Sequence, residues 1–272
     1  MTADLTKQRS QGRKQGRMQG RRAGVGSIWP RWLYSAAEGL ARDGVTYTNL
    51  YGMQEASGDV LDLIGSKDLT AVNSPTYSAP TPFAGRRGIT LPVEVNNALR
   101  GNTSAEYDLD ATTSFLATGT AMFEDTGHGG TTRDVLGKNA GTPRYGVFML
   151  SANGRLQGNA HDGTTNYLAT ILRDHRDTHC RFVFNIDHGG SEILMGSHVK
   201  HDATADAIIV STQSVAGIGT LANASTWRLG AFASSSAGFT ITEMAVRLGT
   251  DWASAAAALA GVTAILQAWE GI

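Results

Sequence analysis

Between Arg87 and Leu248 the chain never sustains an apolar run beyond strand length. Gly, Asn, Asp, Ser and Thr interrupt it at short intervals. Strands joined by tight turns leave this punctuation in a sequence, and it leaves no span for a helical core. The runs predict strands over residues 87–91, 111–123, 144–151, 155–160, 167–172, 179–186, 192–195 and 207–212, then over 227–232 and 239–248 near the end. The firmest hairpin lies between Tyr145 and Ala160, where Asn153-Gly154 supports positive φ at both turn positions. Short strands with almost no internal helix predict an all-β chain of two packed antiparallel sheets or a jelly roll. One unit over residues 53–272 suffices, since all-β sandwiches run to ~200–250 residues.

The two ends differ from this middle. After residue 248 an Ala/Leu-rich stretch places Leu259, Val262, Leu266 and Trp269 at helical spacing, with Asp251 or Ser254 as its cap. At the other end, residues 11–22 read QGRKQGRMQGRR, three copies of Gln-Gly-Arg at a spacing of four. Glycine lowers helix propensity by ~1 kcal/mol per residue, and this segment has no apolar face to bury. Residues 1–25 are therefore expected to form an extended basic arm, with Arg9, Arg13, Lys14, Arg17, Arg21 and Arg22 as its assembly contacts. Residues 26–52 form an aromatic connector in which Trp29, Trp32 and Tyr34 cluster about Pro30, either anchoring a neighbouring subunit or capping the chain's own core. A short helix is expected over 35–42.

Charge follows the same division. Up to Trp32 there are eight basic residues against Asp4 alone, or +7, and the remaining fifteen basic and twenty-three acidic residues give −8. Two electrostatically opposite pieces share one chain. A single cysteine, Cys180, forms no internal disulfide, which suits assembly in a reducing cytoplasm. No apolar run approaches membrane-spanning length, so neither signal peptide nor membrane partner is expected.

Residues 55–77, EASGDVLDLIGSKDLTAVNSPTY, contain an acidic-Ser-Gly turn, an Asp-x-x-Gly loop, a strand-like Asp68-Leu-Thr-Ala71 and a Pro-Thr-Tyr. Towards the end come Leu229-Gly230, the serines 234–236 and Phe239-Thr-Ile241-Thr-Glu243. In both stretches, and over roughly 53–272, the chain resembles the concanavalin A-like and laminin-G-like jelly rolls of phage virion and bacterial surface proteins. It departs from them at Thr240-Ile241, where the middle glycine of their Phe-x-Gly-x-Ile-x-Glu is missing.

The resembled fold also hosts glycosidases, whose retaining members need two carboxylates ~5–5.5 Å apart. No Glu-x-Asp-x-Glu-like run supplies them: Glu124 and Asp125 are adjacent, and Glu243 stands among Thr, Met and Ala. Seven histidines raise a metal reading, but His175 and His179 lack the Glu of a His-Glu-x-x-His helix and are expected in a loop or strand facing solvent; His198 and His201 lie near Asp202 and Asp206. No Gly-x-Ser-x-Gly elbow or Walker pattern occurs, and Cys180 sits inside an apparent strand. The chain is therefore expected not to be an enzyme and to need no cofactor.

Related jelly rolls bind calcium or sugars on rim loops. The resemblance points to Asp162, Asn166 and Tyr167, with Asp187, as a glycan or calcium loop, whose other reading is ordinary polar turns. It further implies a structural protein of a phage-like virion, as capsid decoration, fibre or tail component. Such a protein would be homo-oligomeric, docked to other virion subunits by its arm and assembled in the host cytoplasm. The alternative is a lectin-like module recognising a host surface glycan. The arm also allows nonspecific nucleic-acid binding, without aromatics to stack on bases.

Overall fold

The computed structural model describes residues 45–80, 87–93, 97–124, 132–150, 152–199, 208–215, 217–230, 237–249 and 251–268. The arm, the aromatic triad Trp29, Trp32 and Tyr34, and the predicted helix over 35–42 lie outside these residues, as do His201, Asp202 and Trp269. Among the described residues fifteen strands precede one helix. They are β1 (Asn49–Tyr51), β2 (Thr70–Val72), β3 (Thr76–Pro80), β4 (Arg87–Leu91), β5 (Ala98–Arg100), β6 (Phe115–Phe123), β7 (Thr132–Lys138), β8 (Arg144–Leu150), β9 (Arg155–His161), β10 (Asn166–Thr170), β11 (His179–Asp187), β12 (Glu192–Val199), β13 (Ile209–Ser214), β14 (Arg228–Gly230) and β15 (Phe239–Leu248), followed by α1 (Ala255–Gln267).

The pairings are antiparallel and close two sheets. One runs β13-β12-β11-β6-β15-β4-β3 with β1 also on β15; the other runs β10-β9-β8-β7-β14-β5-β2. β15 organises the first sheet. Along one edge it pairs with β6, while along the other β4 takes Phe239 to Ile241 and β1 takes Met244 to Val246, on either side of a register shift at Ile241/Glu243. The sheet thus takes in Asn49–Tyr51, ahead of residue 53 where the sequence reading starts the sandwich.

Alternation fills the space between the sheets. Phe182, Phe184 and Ile186 of β11, Tyr145, Val147 and Met149 of β8, and Phe239 and Ile241 of β15 belong to one buried cluster with Trp227 and Tyr107. Two glycines make room for two rings of β11. Phe182 lies opposite Gly119 in register, and Phe184 crosses to β9, where a Cβ on Gly158 would sit 2.7 Å from its ring. Lys138 is fully buried, paired with Asp108 and donating also to the Ser104 carbonyl.

The first loop is pinned by one carboxylate. Buried Asp62 accepts from Asn49 Nδ2 (2.6 Å) and from the backbone N–H groups of Leu50 (3.1 Å), Ile64 (3.3 Å), Gly65 (3.0 Å) and Lys67 (3.0 Å). This is the Asp-x-x-Gly loop, and its glycine has a physical cause: a Cβ on Gly65 would lie 2.2 Å from Asp62 Oδ2 and 2.7 Å from the Thr48 carbonyl oxygen.

The sheets differ in what covers their outer sides. Over the eight-stranded sheet, Leu116, Val183, Leu194 and Ala245 form a second apolar cluster with Val45, Tyr47 and Leu50 and with Ala258, Val262, Ile265 and Leu266 of α1. Ser254 caps that helix, its side chain accepting from the Ala257 N–H at 3.2 Å. Leu259, expected on the packed face, is exposed, because the helix turns Ala258, Val262, Ile265 and Leu266 inward instead. Gly196 of β12 lets α1 approach: a Cβ there would come within 2.8 Å of Leu266 and 3.1 Å of Val262.

The predicted hairpin forms, with Tyr145 opposite Ala160 and Leu150 opposite Arg155. Its turn differs from the expected one. Of the Asn153-Gly154 pair only Gly154 has positive φ, and the N–H groups of both residues bond to the Leu150 carbonyl, so the loop is longer than a two-residue turn.

The histidines also depart from expectation, since His175, His179 and His198 are buried. His175 Nε2 meets Ser197 Oγ at 3.0 Å and its Nδ1 meets the Gly154 carbonyl at 3.3 Å, which ties the hairpin turn to β12; His198 Nδ1 lies 3.2 Å from the Leu266 carbonyl. Burial pushes the His175 imidazole down to about 4, against the opposing pull of the Gly154 carbonyl. An unfolded imidazole titrates near ~6.5. Between these values the unfolded chain binds a proton that the folded one refuses, so stability present above ~6.5 is lost as the pH falls towards 4. The expected loss is on the order of 3 kcal/mol. Urea titrations at pH 7.5 and 4.5 measure it, and a His175→Gln protein showing the same pH slope would refute it.

Candidate functional site

One rim of the sandwich gathers the acidic turns. Gly154, at the start of β9, touches His175, which touches Ser197 of β12, and Gly158 further along β9 faces Phe184 of β11. Following both strands onward brings the end of β9 and the end of β11 to the same side. There Asp162 Oδ2 accepts from the Gly219 N–H at 3.3 Å, and the Leu221 N–H bonds to the Leu109 carbonyl at 2.7 Å.

The expected loop residues do not converge on this rim. Asp162 turns on its own chain, accepting from Thr164 N–H (2.9 Å), Thr164 Oγ1 (2.9 Å) and Thr165 N–H (2.8 Å). Partial burial works against the charge, yet these N–H groups and that of Gly219 outweigh it and hold the carboxyl at about 2. Asn166 faces outward and accepts from Asn159 Nδ2 at 2.6 Å, whereas Tyr167, opposite Ala160, packs on the core. Successive strand residues point to opposite faces, so Asn166 and Tyr167 do not share a ligand.

Asp187 closes β11, fully buried. Its Oδ1 lies 3.4 Å from Ser114 Oγ and 3.3 Å from the Trp252 N–H, and Ser114 also bonds to Asp251 and accepts from the His188 N–H at 2.9 Å. Burial raises the Asp187 carboxyl above the ordinary range, the Asp251 charge adds to this, and the Trp252 N–H opposes it. Ser114 is 2% exposed, so the knot fastens α1 and the β6 start to the end of β11 rather than presenting a nucleophile. Among the described residues no group of three or more His, Cys, Asp or Glu is placed to hold a metal ion. Glu243, on the outer side of the other sheet, pairs with Thr120 Oγ1 at 2.9 Å and Arg181 at 3.7 Å.

The outer side of the seven-stranded sheet is a different surface. Among the described residues α1 packs on β11, β12 and β13 and not on this side. A register row crosses it as Arg100, Arg228, Gly137, Gly146, Asn159 and Leu168. The flanking rows are Asp134, Phe148, Gln157 and Thr170 on one side and Arg144, His161 and Asn166 on the other. Gly137 and Gly146, both buried, occupy the middle of the row, and side chains are barred there: a Cβ would lie 2.2 Å from the Tyr145 carbonyl oxygen and 2.3 Å from that of Leu136. Strand spacing of ~4.8 Å puts Arg228 and Asn159 roughly 14 Å apart across this patch, and Arg144 and Phe148 bound it along β8 at roughly 13 Å.

Two buried polar atoms at its edge are without hydrogen-bond partners, Arg144 Nε and Asn159 Oδ1. Burying such groups without partners costs about 1–3 kcal/mol each, so a ligand that supplied an acceptor and a donor would recover it. Sequence reasoning missed this surface because outward polar residues on strands look like a solvated face.

The geometry can be set beside known proteins. No family model and no curated protein matches the sequence. Solved structures do. The binding domain of botulinum neurotoxin serotype D superposes with a TM-score of 0.58 at 8% identity, over 86% of this chain and 52% of that one. The fold is a β-sandwich of the jelly-roll type. The binding domain of Paraclostridial Mosquitocidal Protein 1 matches at 0.54 and 10% identity over 74% and 49%, and Trypanosoma rangeli sialidase at 0.52 and 11% over 86% and 38%. This chain thus spans about half the length of the two binding domains and less of the sialidase.

Proposed function

We propose that this chain is a non-enzymatic, carbohydrate-binding recognition module, and that the outer side of its seven-stranded sheet is the contact surface. The observation that carries the reading is the polar outer side of that sheet, where the buried atoms Arg144 Nε and Asn159 Oδ1 lack hydrogen-bond partners. Hydroxyl-rich ligands both donate and accept, which is what such an edge lacks. Fold likeness alone assigns no activity. It supports the reading to this extent: neighbouring neurotoxin DC binding domains are described in complex with SialylT and with rat synaptotagmin II. The non-enzymatic part is supported by Asp187 and Asp251 both bonding to Ser114, which is buried and presents no nucleophile.

A second reading, a structural subunit of a phage-like virion, is favoured by the +7 segment that precedes a −8 remainder. An arm of that charge can dock onto an acidic neighbour while the sandwich is displayed, and the two readings are compatible. The test is a glycan array probed with the full chain, with and without calcium, beside a protein lacking residues 1–25. Selective binding that survives the deletion is expected, while absence of selective binding to any glycan would overturn the recognition reading. Incorporation into particles unchanged by the deletion would overturn the tether.

A further inference from the structure

The helix that covers the eight-stranded sheet has a second face, and among the described residues nothing packs on it. From Trp252 to Ala268 the sequence carries no charge. α1 turns Ala258, Val262, Ile265 and Leu266 onto the sheet, while Ala256, Leu259, Ala260 and Gln267 on its opposite face are exposed, Leu259 by 42%. Surface helices place charged and polar residues opposite their buried stripe, and a helix that is apolar all round is a buried one. The apolar surface continues beyond the helix. Leu63, Val210 and Trp252 are half-buried where they pack on the cluster beneath α1, and the next residue after Leu63, Ile64, is 40% exposed.

The described chain starts at this same place. Val45 and Tyr47 are buried in the cluster that α1 covers, so whatever precedes them enters beside the helix. The preceding stretch, residues 26–44, holds Trp29, Trp32, Leu33 and Tyr34.

We infer that residues 26–44 of the same chain dock on the outer face of α1, with Trp29, Trp32 and Tyr34 against Leu259 and the exposed alanines. Reach allows it: eleven residues separate Tyr34 from Val45, and at ~3.3–3.6 Å each they span up to roughly 36–40 Å, against a helix about 20 Å long. Size favours this occupant over a second copy. A face about 20 Å long and about 10 Å wide offers on the order of 200 Å², well short of the ~800 Å² per partner of a stable dimer. A tethered segment is held at high effective concentration and does not need that area. Composition favours it over the other stretches that adjoin this face in sequence: 200–207 read KHDATADA, with no large apolar side chain, and WEGI at 269–272 is too short to line a helix. The inference goes beyond the recognition reading and does not depend on it. It makes the aromatic triad a cap on the chain's own sandwich rather than an anchor for a neighbouring subunit. Residues 1–25 then leave on the α1 side, so the basic arm and the outer side of the seven-stranded sheet face opposite ways.

The experiment uses the full chain with a nitroxide on Ala256→Cys or Gln267→Cys, at either end of the exposed face, and reads the indole N–H signals of Trp29 and Trp32 in isotope-labelled protein. Cys180 is fully buried and stays unmodified, and Arg100→Cys, exposed on β5 of the other sheet, is the control position. Trp29→Phe and Trp32→Phe assign the two signals. The expected result is loss of both signals with either helix label, their return when Leu259→Lys is added, and no loss from the Arg100 position. Signals untouched by both helix labels would overturn the inference, and so would equal loss from the Arg100 position. Mixing isotope-labelled chain that lacks the nitroxide with unlabelled chain that carries it separates the occupants. Signal loss in that mixture would seat a second copy on the face and overturn the docking within one chain. Far-UV circular dichroism confirms that the Leu259→Lys protein is folded, and signal loss persisting in that folded protein would overturn the contact with Leu259.

Discussion

Asp62→Ala is expected to destabilise the protein by about 3–5 kcal/mol, measured as the shift in ΔG from urea unfolding monitored by tryptophan fluorescence. The carboxylate is 2% exposed and accepts from Asn49 Nδ2 and four backbone N–H groups, those of Leu50, Ile64, Gly65 and Lys67. Hydrogen bonds to an ionised group contribute about 1.5–3 kcal/mol each, and a buried donor left without an acceptor costs about 1–3 kcal/mol. Water entering the vacated space would recover part of this, which keeps the expected loss below the simple sum. The effect should spread beyond the loop, because Leu50 lies in β1, which joins its sheet through the end of β15, and because the Leu63 N–H bonds back to the Leu50 carbonyl. Asp62→Asn should fall between, since its amide still accepts through one oxygen but turns two donors towards Asn49 and Lys67. A loss under about 1 kcal/mol for Asp62→Ala would mean that the loop and β1 unfold separately from the sandwich.

That loop also shows what in the fold is legible from sequence. Asp62, Gly65 and the following Thr70–Val72 strand are local, and their spacing carries the resemblance to jelly rolls before any contact is known. Long alternating strands were legible for the same reason, with β4 and β15 matching their predicted bounds. β7 was missed, and its register explains why. A shift between Asp134 and Leu136 puts both Val135 and Leu136 into the core, so the two-residue period breaks, and Lys138 is charged yet buried against Asp108. β12 was predicted to stop at residue 195 because Gly196-Ser197-His198 looks like a turn. Its continuation depends on distant partners: Gly196 admits α1, Ser197 meets His175 and His198 meets the Leu266 carbonyl. β5, three residues long and without flanking turn motifs, carries too short a pattern to be seen.

The candidate site was less legible than the fold. Acidic turn residues are conspicuous in sequence, yet Asp162 spends its oxygens on its own turn and on Gly219, and Asp187 turns Oδ1 to Ser114 and Trp252 while its buried Oδ2 has no hydrogen-bond partner. The opposite holds on the sheet. Arg144, Gly146, Asn159 and Arg228 carry no motif, and it is the pairing of β14 with β7, β7 with β8 and β8 with β9 that sets them around one patch.

The contact that fixes how the two sheets meet can be tested with two substitutions. Phe184 of β11 is fully buried, packs edge-on against Phe115 at 6.2 Å between ring centroids, and reaches across to Gly158 of β9. Phe184→Ala is expected to cost about 3–5 kcal/mol, from lost transfer free energy plus the cavity that a sheet pair cannot collapse. Gly158→Ala should cost about 1–3 kcal/mol for the converse reason, since its new Cβ would stand 2.7 Å from Phe184 Cδ2 and Cε2 and the ring must move against close-packed neighbours. The two costs share one cause, so they should not add. In the double mutant the methyl introduced by Gly158→Ala enters space that the ring has left, and its overpacking penalty disappears. The double mutant is therefore expected to be no less stable than Phe184→Ala alone, a coupling of about 1–3 kcal/mol by a double-mutant cycle in urea. Additive losses to within ~0.5 kcal/mol would show that Phe184 and Gly158 do not meet, and the inter-sheet registry that places the ends of β9 and β11 on one rim would fall with that contact.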